Sequence, residues 1–254
     1  MKSKSLILLP LVLLLMCVTI TSCRQNTPYT YGGMKGKPIS VMEKVYEVDI
    51  IFGEIIRNNK INDATKYYFD NNGKMNKISS YSSRGQVERE TLLEYDSEGI
   101  VIKSETYSFG YKEKKIVEEF LLLNKSSKKR EFITHSKWLG SNEIDTLKVD
   151  IIDNQTEKQE NSSHITTIKY NKDKQVIEFS TISKKNNEQT AQGFYKYDKG
   201  LQVEWIEMLP MNPDRGQIIH KYEYIKFDDN KNWIEKVEYE DGEAIYITIR
   251  EIEY

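Results

Sequence analysis

Few side chains in this sequence have the types and spacing needed for acid–base, nucleophilic or metal chemistry. The three histidines, His135, His164 and His220, are far apart and have neither an i, i+4 partner nor a nearby cysteine. Their spacing predicts no metal site and no catalytic base. Asp70 could begin a calcium loop, but the twelfth position of that loop holds Tyr81 where a glutamate is needed. We therefore expect no metal and no cofactor.

A covalent nucleophile is equally poorly supported. The serines of residues 79–83 lie in a polar run, and no Gly-x-Ser-x-Gly elbow is present anywhere in the chain. Acidic residues number 39, so carboxylate pairs suited to glycoside hydrolysis are expected by chance. The sequence predicts no enzyme, with hydrolysis of a carbohydrate as an open alternative.

Cys23 is the residue with the clearest chemical prediction. Two lysines precede an apolar run over residues 6–20, which at 15 residues is shorter than the ~20 needed to span a bilayer. Small residues at Thr21 and Ser22 then lead to Cys23. This layout resembles a bacterial lipoprotein signal, which implies removal of residues 1–22 and attachment of diacylglycerol to the Cys23 sulfur. With a second acyl group at the new amino terminus, Cys23 would anchor the protein stably to a membrane.

Charge and composition restrict the possible partners. Cleavage removes two of 37 basic residues and none of the 39 acidic ones, which leaves a net charge of about −4. That charge gives no basic field for nucleic acid. Because Cys23 would be the only mature cysteine, no disulfide is expected. Residues 23–38 contain two prolines and three glycines and are predicted to be a flexible tether, followed by one domain over residues 39–254.

A short motif recurs along the domain: an aromatic residue, an Asp or Asn, and usually a Gly. Its copies lie at residues 68–73, 94–99, 196–200 and 226–230, with a weaker copy at 169–171. In a hairpin the aromatic residue fills a half-buried strand position, the Asp or Asn side chain bonds its own backbone, and Gly supplies positive φ. The repeat therefore predicts a series of β-hairpins.

Alternating residues define the strands between these turns. Ile245, Ile247 and Ile249 alternate with Tyr246, Thr248 and Arg250, which predicts one aliphatic and one solvated face. Residues 41–58 are predicted to form two strands that turn near Gly53, although a helix is an alternative there.

The recurring turns resemble the Rhs/YD-repeat class, and the closing stretch, residues 232–254, resembles the end of repeat-bearing lipoproteins of Bacteroidetes. The resemblance implies an all-β fold, an antiparallel meander of repeated hairpins that forms a large curved open sheet, with a partial shell or roll as variants. It implies no activity. In an open sheet, strands near Gly110 or Tyr254 would be the edges.

Aromatic residues are the most plausible binding resource. Stacked against a sugar or buried in a protein interface they would supply affinity, whereas cross-strand packing requires the same residues at the same spacing. The candidate binding residues are Tyr195, Tyr197, Trp205, Tyr222, Tyr224 and Trp233.

Thr146 is a candidate modification site. Asp145, Thr146 and Leu147 resemble the short signal for O-glycosylation of envelope proteins in Bacteroidetes. The signal would place a glycan on the Thr146 hydroxyl.

These features lead to one functional prediction and two alternatives. Arg24 and its polar neighbours resemble neither an inner-membrane retention signal nor an acidic surface-export tract, so an outer-membrane lipoprotein facing the periplasm is expected. We predict a non-catalytic interaction module of the cell envelope that presents a tyrosine-rich face to an unidentified protein or glycan. The alternatives are a carbohydrate-binding or hydrolytic envelope protein and an immunity or antitoxin-like protein.

Overall fold

The computed structural model describes residues 34–109, 114–136, 143–208, 210 and 216–254. Cys23 and most of the predicted tether lie outside these residues. No helix in the described part of the chain is long and apolar enough to span a membrane. The strands are β1 Ser40–Ile51, β2 Glu54–Phe69, β3 Met75–Tyr81, β4 Val87–Tyr95, β5 Val101–Phe109, β6 Lys114–Lys125, β7 Lys129–Ser136, β8 Glu143–Ile151, β9 Thr156–Glu160, β10 His164–Tyr170, β11 Val176–Ser183, β12 Gln189–Asp198, β13 Leu201–Met208, β14 Gln217–Phe227, β15 Trp233–Glu240 and β16 Glu243–Glu253.

The all-β antiparallel meander is confirmed, but the sheet is closed. Each strand pairs with the next one in sequence, and β1 pairs with β16 to complete a barrel. This seam runs without interruption from Ser40 opposite Glu253 to Glu47 opposite Tyr246. The expectation of an open curved sheet is therefore wrong. Closure depends on the twist summed over all strands and on pairing between chain ends, and neither leaves a local sequence signal.

Closure also overturns the predicted edges. β16, which ends beside Tyr254, has β15 on one side and β1 on the other, and the strands flanking Gly110 pair with each other. Unpaired backbone lies instead at a long extension of β1 and β2. These two strands turn at Gly53, as predicted, and Val48–Ile51 of β1 pair only with β2.

The recurring motif forms the predicted turns. The carboxylate of Asp70 accepts hydrogen bonds from the backbone N–H groups of Asn72 and Lys74, and Gly73 has a φ of 76°. Asp96 makes the same pair of bonds to Glu98 and Ile100. Because the strands alternate in direction, these turns and the start of β1 lie at one rim of the barrel, and the β1–β2 extension lies at the other.

Tyrosines of the motif connect neighbouring hairpins. The hydroxyl of Tyr95 donates to the carbonyl oxygen of Met75 at 2.6 Å, and the hydroxyl of Tyr197 donates to that of Val176 at 2.9 Å. Tyr224, which precedes the copy at residues 226–230, makes a similar bond to Gln202 at 2.8 Å. Each bond reaches back 20 to 22 residues, so each of these tyrosines links one hairpin to the one before it.

The interior of the barrel mixes apolar clusters with polar groups. One cluster contains Phe120, Phe132 and Val149, and a second contains Ile168 and Phe179. In β16 the two faces are reversed from the expected arrangement. The polar residues Thr248 and Arg250 face the barrel interior and are buried, while the aliphatic Ile247 faces outward. Ile247 is nonetheless covered by its neighbours, at 6% exposure.

Charged cross-strand pairs cover much of the outer surface. Lys77 lies 3.4 Å from Glu90, and Lys103 lies 3.7 Å from Glu94. The same arrangement recurs on other strands, in Lys148–Glu131, Lys169–Glu178, Lys196–Glu204 and Lys226–Glu235. Exposed pairs of this kind contribute little to stability, at most about 1 kcal/mol each. Their importance lies in the surface they form, which is charged and wet.

Candidate functional site

All six predicted binding aromatics face the inside of the barrel. They lie on four consecutive strands, β12 to β15. These six aromatics and two neighbours on the same face form a surface that we call the inner wall: Tyr195, Tyr197, Trp205, His220, Tyr222, Tyr224, Trp233 and Lys236. The predicted tyrosine-rich face therefore lies inside the barrel, and its role in binding stays a prediction. The sequence alternation defines which residues share a face, but closure determines which face is inside.

Three rings of the inner wall form a ladder across neighbouring strands. The ring of Tyr195 lies nearly parallel to that of Trp205 at 6.0 Å between centroids, and Trp205 stacks on His220 at 4.6 Å. These residues are direct cross-strand partners. Because both faces of Trp205 are turned toward neighbouring rings, a sugar ring has no free face of Trp205 on which to stack.

The tyrosines of the inner wall divide into two groups. Tyr197 and Tyr224 bond backbone carbonyls, as described above, so their hydroxyls have a structural role. Among the described residues, the hydroxyls of Tyr195 and Tyr222 have no hydrogen-bond partner, and neither has the buried Nε1 of Trp205. Burial raises the pKa of all four tyrosines, to about 12 for Tyr197 and Tyr224, so the hydroxyls stay protonated and can donate.

Trp233 is the centre of a cationic cluster at the end of the inner wall. The guanidinium of Arg250 lies 3.4 Å from its ring centroid, and the ammonium of Lys236 lies 5.2 Å from it. Arg250 Nε also donates to Glu43 Oε1 at 2.6 Å across the β1–β16 seam. Burial lowers the pKa of Lys236, although the charges of Glu43 and Glu238 oppose that effect.

His220 is the one histidine that the fold brings into this site. Its Nδ1 lies 3.3 Å from Glu238 Oε1. Burial alone lowers the pKa of His220, but the contact with Glu238 and the charges of Glu240 and Glu207 outweigh burial and leave that pKa raised. His220, Lys236 and Arg250 were missed from the sequence. The i, i+2, i+4 spacing of His220, Tyr222 and Tyr224 was the available signal.

The remaining predicted sites lie apart from the inner wall. His135 is on β7 and His164 is the first residue of β10. Thr146 lies on the outward face of β8, and its N–H donates to Asp145 Oδ1, which also accepts a bond from the N–H of Ser162. Its modification stays a prediction. Within the described ranges, no three His, Cys, Asp or Glu side chains are grouped closely enough to hold a metal.

Two further interior carboxyls are costly to ionise. Burial raises the pKa of Glu118, and the charge of Arg89 only partly offsets that effect. Burial also raises the pKa of Asp63. A carboxyl with a raised pKa binds more protons in the folded state than in the unfolded one, so stability falls as pH rises from the ordinary pKa through the raised one.

We therefore expect Glu118→Gln to increase the free energy of unfolding near neutral pH and to flatten its decline above pH ~4.5, the usual glutamate pKa. Urea unfolding at a series of pH values measures both effects. Glu119→Gln, the next residue on the outward face, is the matched control. A Glu118→Gln profile that parallels the wild type would mean that this carboxyl does not titrate differently in the two states.

The β1–β2 extension is the second unusual surface. Its apolar side chains are exposed, including Ile50 at 62% and Phe52 at 103%. Ile51, Ile55 and Ile56 are exposed beside them. An apolar tip with unpaired backbone edges is unusual on a soluble surface and is typical of contact sites.

The fold and site together define a sixteen-stranded closed antiparallel barrel with a polar, aromatic inner wall. No protein family matches the chain, and no curated protein is similar to it. Among solved structures it is similar to a porin-like protein from Bacteroides uniformis ATCC 8492, at 8% identity over 90% of this chain and all of that one, with a TM-score of 0.32. It is also similar to TcdB2-TccC3-TEV, at 11% identity over 72% of this chain, with a TM-score of 0.22. The chain spans only 12% of that second structure.

Proposed function

We propose that this protein is a non-catalytic binding module of the cell envelope, anchored through lipid on Cys23, that takes its ligand inside the barrel at the inner wall. The observation that carries the proposal is the set of inward polar groups without protein partners among the described residues: the hydroxyls of Tyr195 and Tyr222, beside the stacked ring of Trp205. Trp205 Nε1 is a buried donor without a partner among the described residues, and buried donors are normally satisfied. Together with the half-buried tyrosine hydroxyls, it makes this wall suited to a polar ligand.

The size of the barrel supports an interior site. An eight-stranded barrel is just wide enough for its own side chains to fill, whereas barrels of sixteen or more strands leave a lumen. Sixteen strands close this barrel, and Tyr195, Trp205 and Tyr222 are only half-buried within it. These side chains would line the space that a ligand enters.

The outer surface supports anchoring by lipid over insertion into lipid. A barrel wall that faces hydrocarbon is apolar, and a lysine at the bilayer midplane costs about 2–4 kcal/mol. Lysines such as Lys103 and Lys148 lie on outward strand faces and pair with glutamates there. A water-exposed barrel tethered by Cys23, on the periplasmic side of the outer membrane, accommodates these charges without cost.

A protein partner is the second candidate, and the exposed β1–β2 extension favours it. Phe52 and Ile50 would bury apolar surface against such a partner, and the free strand edges could pair with its backbone. The interior and the extension lie at different places on the barrel, so substitutions can separate the two candidates.

The test is crosslinking capture from the native envelope with the wild type, Cys23→Ala, Tyr195→Ala and Tyr222→Ala, with glycans and proteins both identified. Tyr107→Ala, an outward tyrosine bonded to Glu105, is the matched control. We expect a retained ligand that both inner-wall substitutions abolish, that Tyr107→Ala leaves in place, and that is recovered poorly without the anchor.

If Tyr195→Ala and Tyr222→Ala retain the ligand as the wild type does, the proposed interior site is wrong. If a protein is then lost with Phe52→Ser, the second candidate replaces the first. Thermal unfolding of each variant verifies that loss of ligand does not reflect loss of the fold.

A further inference from the structure

Lys236 is an inner-wall residue whose charged group has no polar partner among the described residues. Its ammonium lies 4.8 Å from the ring centroid of Tyr222 and 5.2 Å from that of Trp233, on the inward face of β15. Within the part of the chain that the structure describes, the ammonium has neither a hydrogen-bond acceptor nor a carboxylate partner. An ammonium has three donors, and the half-buried Lys236 side chain leaves them open to an acceptor on a ligand.

The nearest carboxylates face other side chains. Glu43 accepts the hydrogen bond from Arg250 Nε at 2.6 Å, and Glu238 lies 3.3 Å from His220 Nδ1. Both carboxylates influence Lys236 only through their charges. Among the described residues Lys236 therefore has no carboxylate of its own, and two aromatic rings flank its ammonium.

We propose that Lys236 is the receptor for an anionic oxygen group of the ligand, a carboxylate or a phosphate, with the Tyr222 hydroxyl as a second donor beside it. This inference rests on the proposed interior binding site and names the chemistry of what binds there. A negatively charged acceptor would form a charge-assisted hydrogen bond to Nζ, stronger than a neutral one. The rings of Tyr222 and Trp233 would exclude competing water.

The inference also explains which ligands are excluded. A neutral sugar offers hydroxyl acceptors but no charge to balance Lys236, and the rings of the ladder offer it no free tryptophan face. A cationic group placed against Trp233 would meet Lys236 and Arg250, which both lie at that ring. An acidic sugar or a phosphorylated molecule satisfies both the charge and the donors.

The experiment titrates the purified full chain with three probes: glucuronate, inorganic phosphate and glucose. Tryptophan fluorescence reports occupancy, because Trp233 is close to the ammonium, and calorimetry measures the affinity independently. Lys236→Met removes the charge but keeps the length, and it should fold because replacing a buried charge by an apolar chain is often neutral or stabilising. Lys103→Met, on the outer surface, is the matched control.

We expect glucuronate or phosphate to bind saturably and glucose not to bind. The Kd for the anion should be at least about tenfold higher in Lys236→Met and unchanged in Lys103→Met. Preference between the two anions distinguishes a carboxylate ligand from a phosphate. Equal binding of glucose, equal affinity in Lys236→Met, or no saturation with either anion would each overturn the inference.

The outcomes separate this inference from the proposed function. If envelope capture depends on Tyr195 and Tyr222 but Lys236→Met captures as the wild type does, the interior site stands and the anionic ligand is wrong. If none of the three substitutions changes capture, the interior site itself fails.

Discussion

Replacing Arg250 by methionine is expected to lower the free energy of unfolding by about 3–5 kcal/mol, the usual result of removing one partner from a buried ion pair. The Arg250 side chain is only 4% exposed and that of Glu43 is 16% exposed, and their 2.6 Å bond crosses the β1–β16 seam. Methionine would leave the Glu43 carboxylate inside the barrel without its cation and would remove the guanidinium from the face of Trp233. Urea unfolding followed by circular dichroism measures the loss.

Two control variants test the mechanism. Lys44→Met removes an exposed pair with Glu251 on the same seam and should cost less than about 1 kcal/mol. The double variant Glu43→Gln, Arg250→Met should be more stable than Arg250→Met alone, because no uncompensated carboxylate is left inside. If Arg250→Met costs no more than Lys44→Met, the buried pair does not hold the seam. Hydrogen exchange of β1 and β16 amides would show whether opening begins there.

The local structure was predictable from the sequence because short-range chemistry determines it. Asp70 and Asp96 bond the backbone two and four residues ahead, and Gly73 and Gly99 have positive φ, so each turn is specified within five residues. The turn at Gly53 followed from the same reasoning. These contacts need nothing from the rest of the chain, and the meander of hairpins follows from them.

Neither the closure of the barrel nor the face of the sheet that becomes its interior was predictable in this way. The seam pairs Ser40 with Glu253, residues that share no local pattern, and it depends on twist and register accumulated over every strand between them. Closure then fixes which face of each strand is inside. In β16 the polar face with Thr248 and Arg250 is inside and the face with Ile247 is outside, contrary to the rule that aliphatic residues mark the core. A wide barrel relaxes that rule because its interior need not be dry.

The candidate site was predictable only in part, because residue type and strand alternation can be read from the sequence but contacts cannot. The six aromatics were chosen for their residue type, and strand alternation with cross-strand register brings them to one wall. Which of them are structural follows only from the contacts: the hydroxyls of Tyr197 and Tyr224 bond backbone carbonyls, whereas those of Tyr195 and Tyr222 do not. Lys236 was overlooked because a lysine on a strand is usually solvated, and only closure places it inside.

Gly193 is expected to tolerate no side chain, so that Gly193→Ala lowers the free energy of unfolding by about 2–3 kcal/mol, a typical cost of overpacking. A Cβ at this position would lie 2.2 Å from Cε1 of Phe179, its direct cross-strand partner. Phe179 is only 2% exposed and packs among Ile168 and Val176, so its ring can move only by displacing its neighbours. For a chain of this size the change corresponds to a fall in Tm of about 5–10 °C.

The rescue variant distinguishes this clash from a general effect on the strand. Phe179→Leu shortens the ring that meets the new Cβ, so Gly193→Ala and Phe179→Leu together should cost less than the sum of the two single changes. Additive costs would show that the alanine does not meet Phe179. Because Phe179 also contacts Tyr195, at 6.2 Å between ring centroids, a displaced Phe179 ring would press on the aromatic ladder. Gly193→Ala should therefore weaken ligand binding at the inner wall as well as stability, and Phe179→Leu should relieve part of both effects.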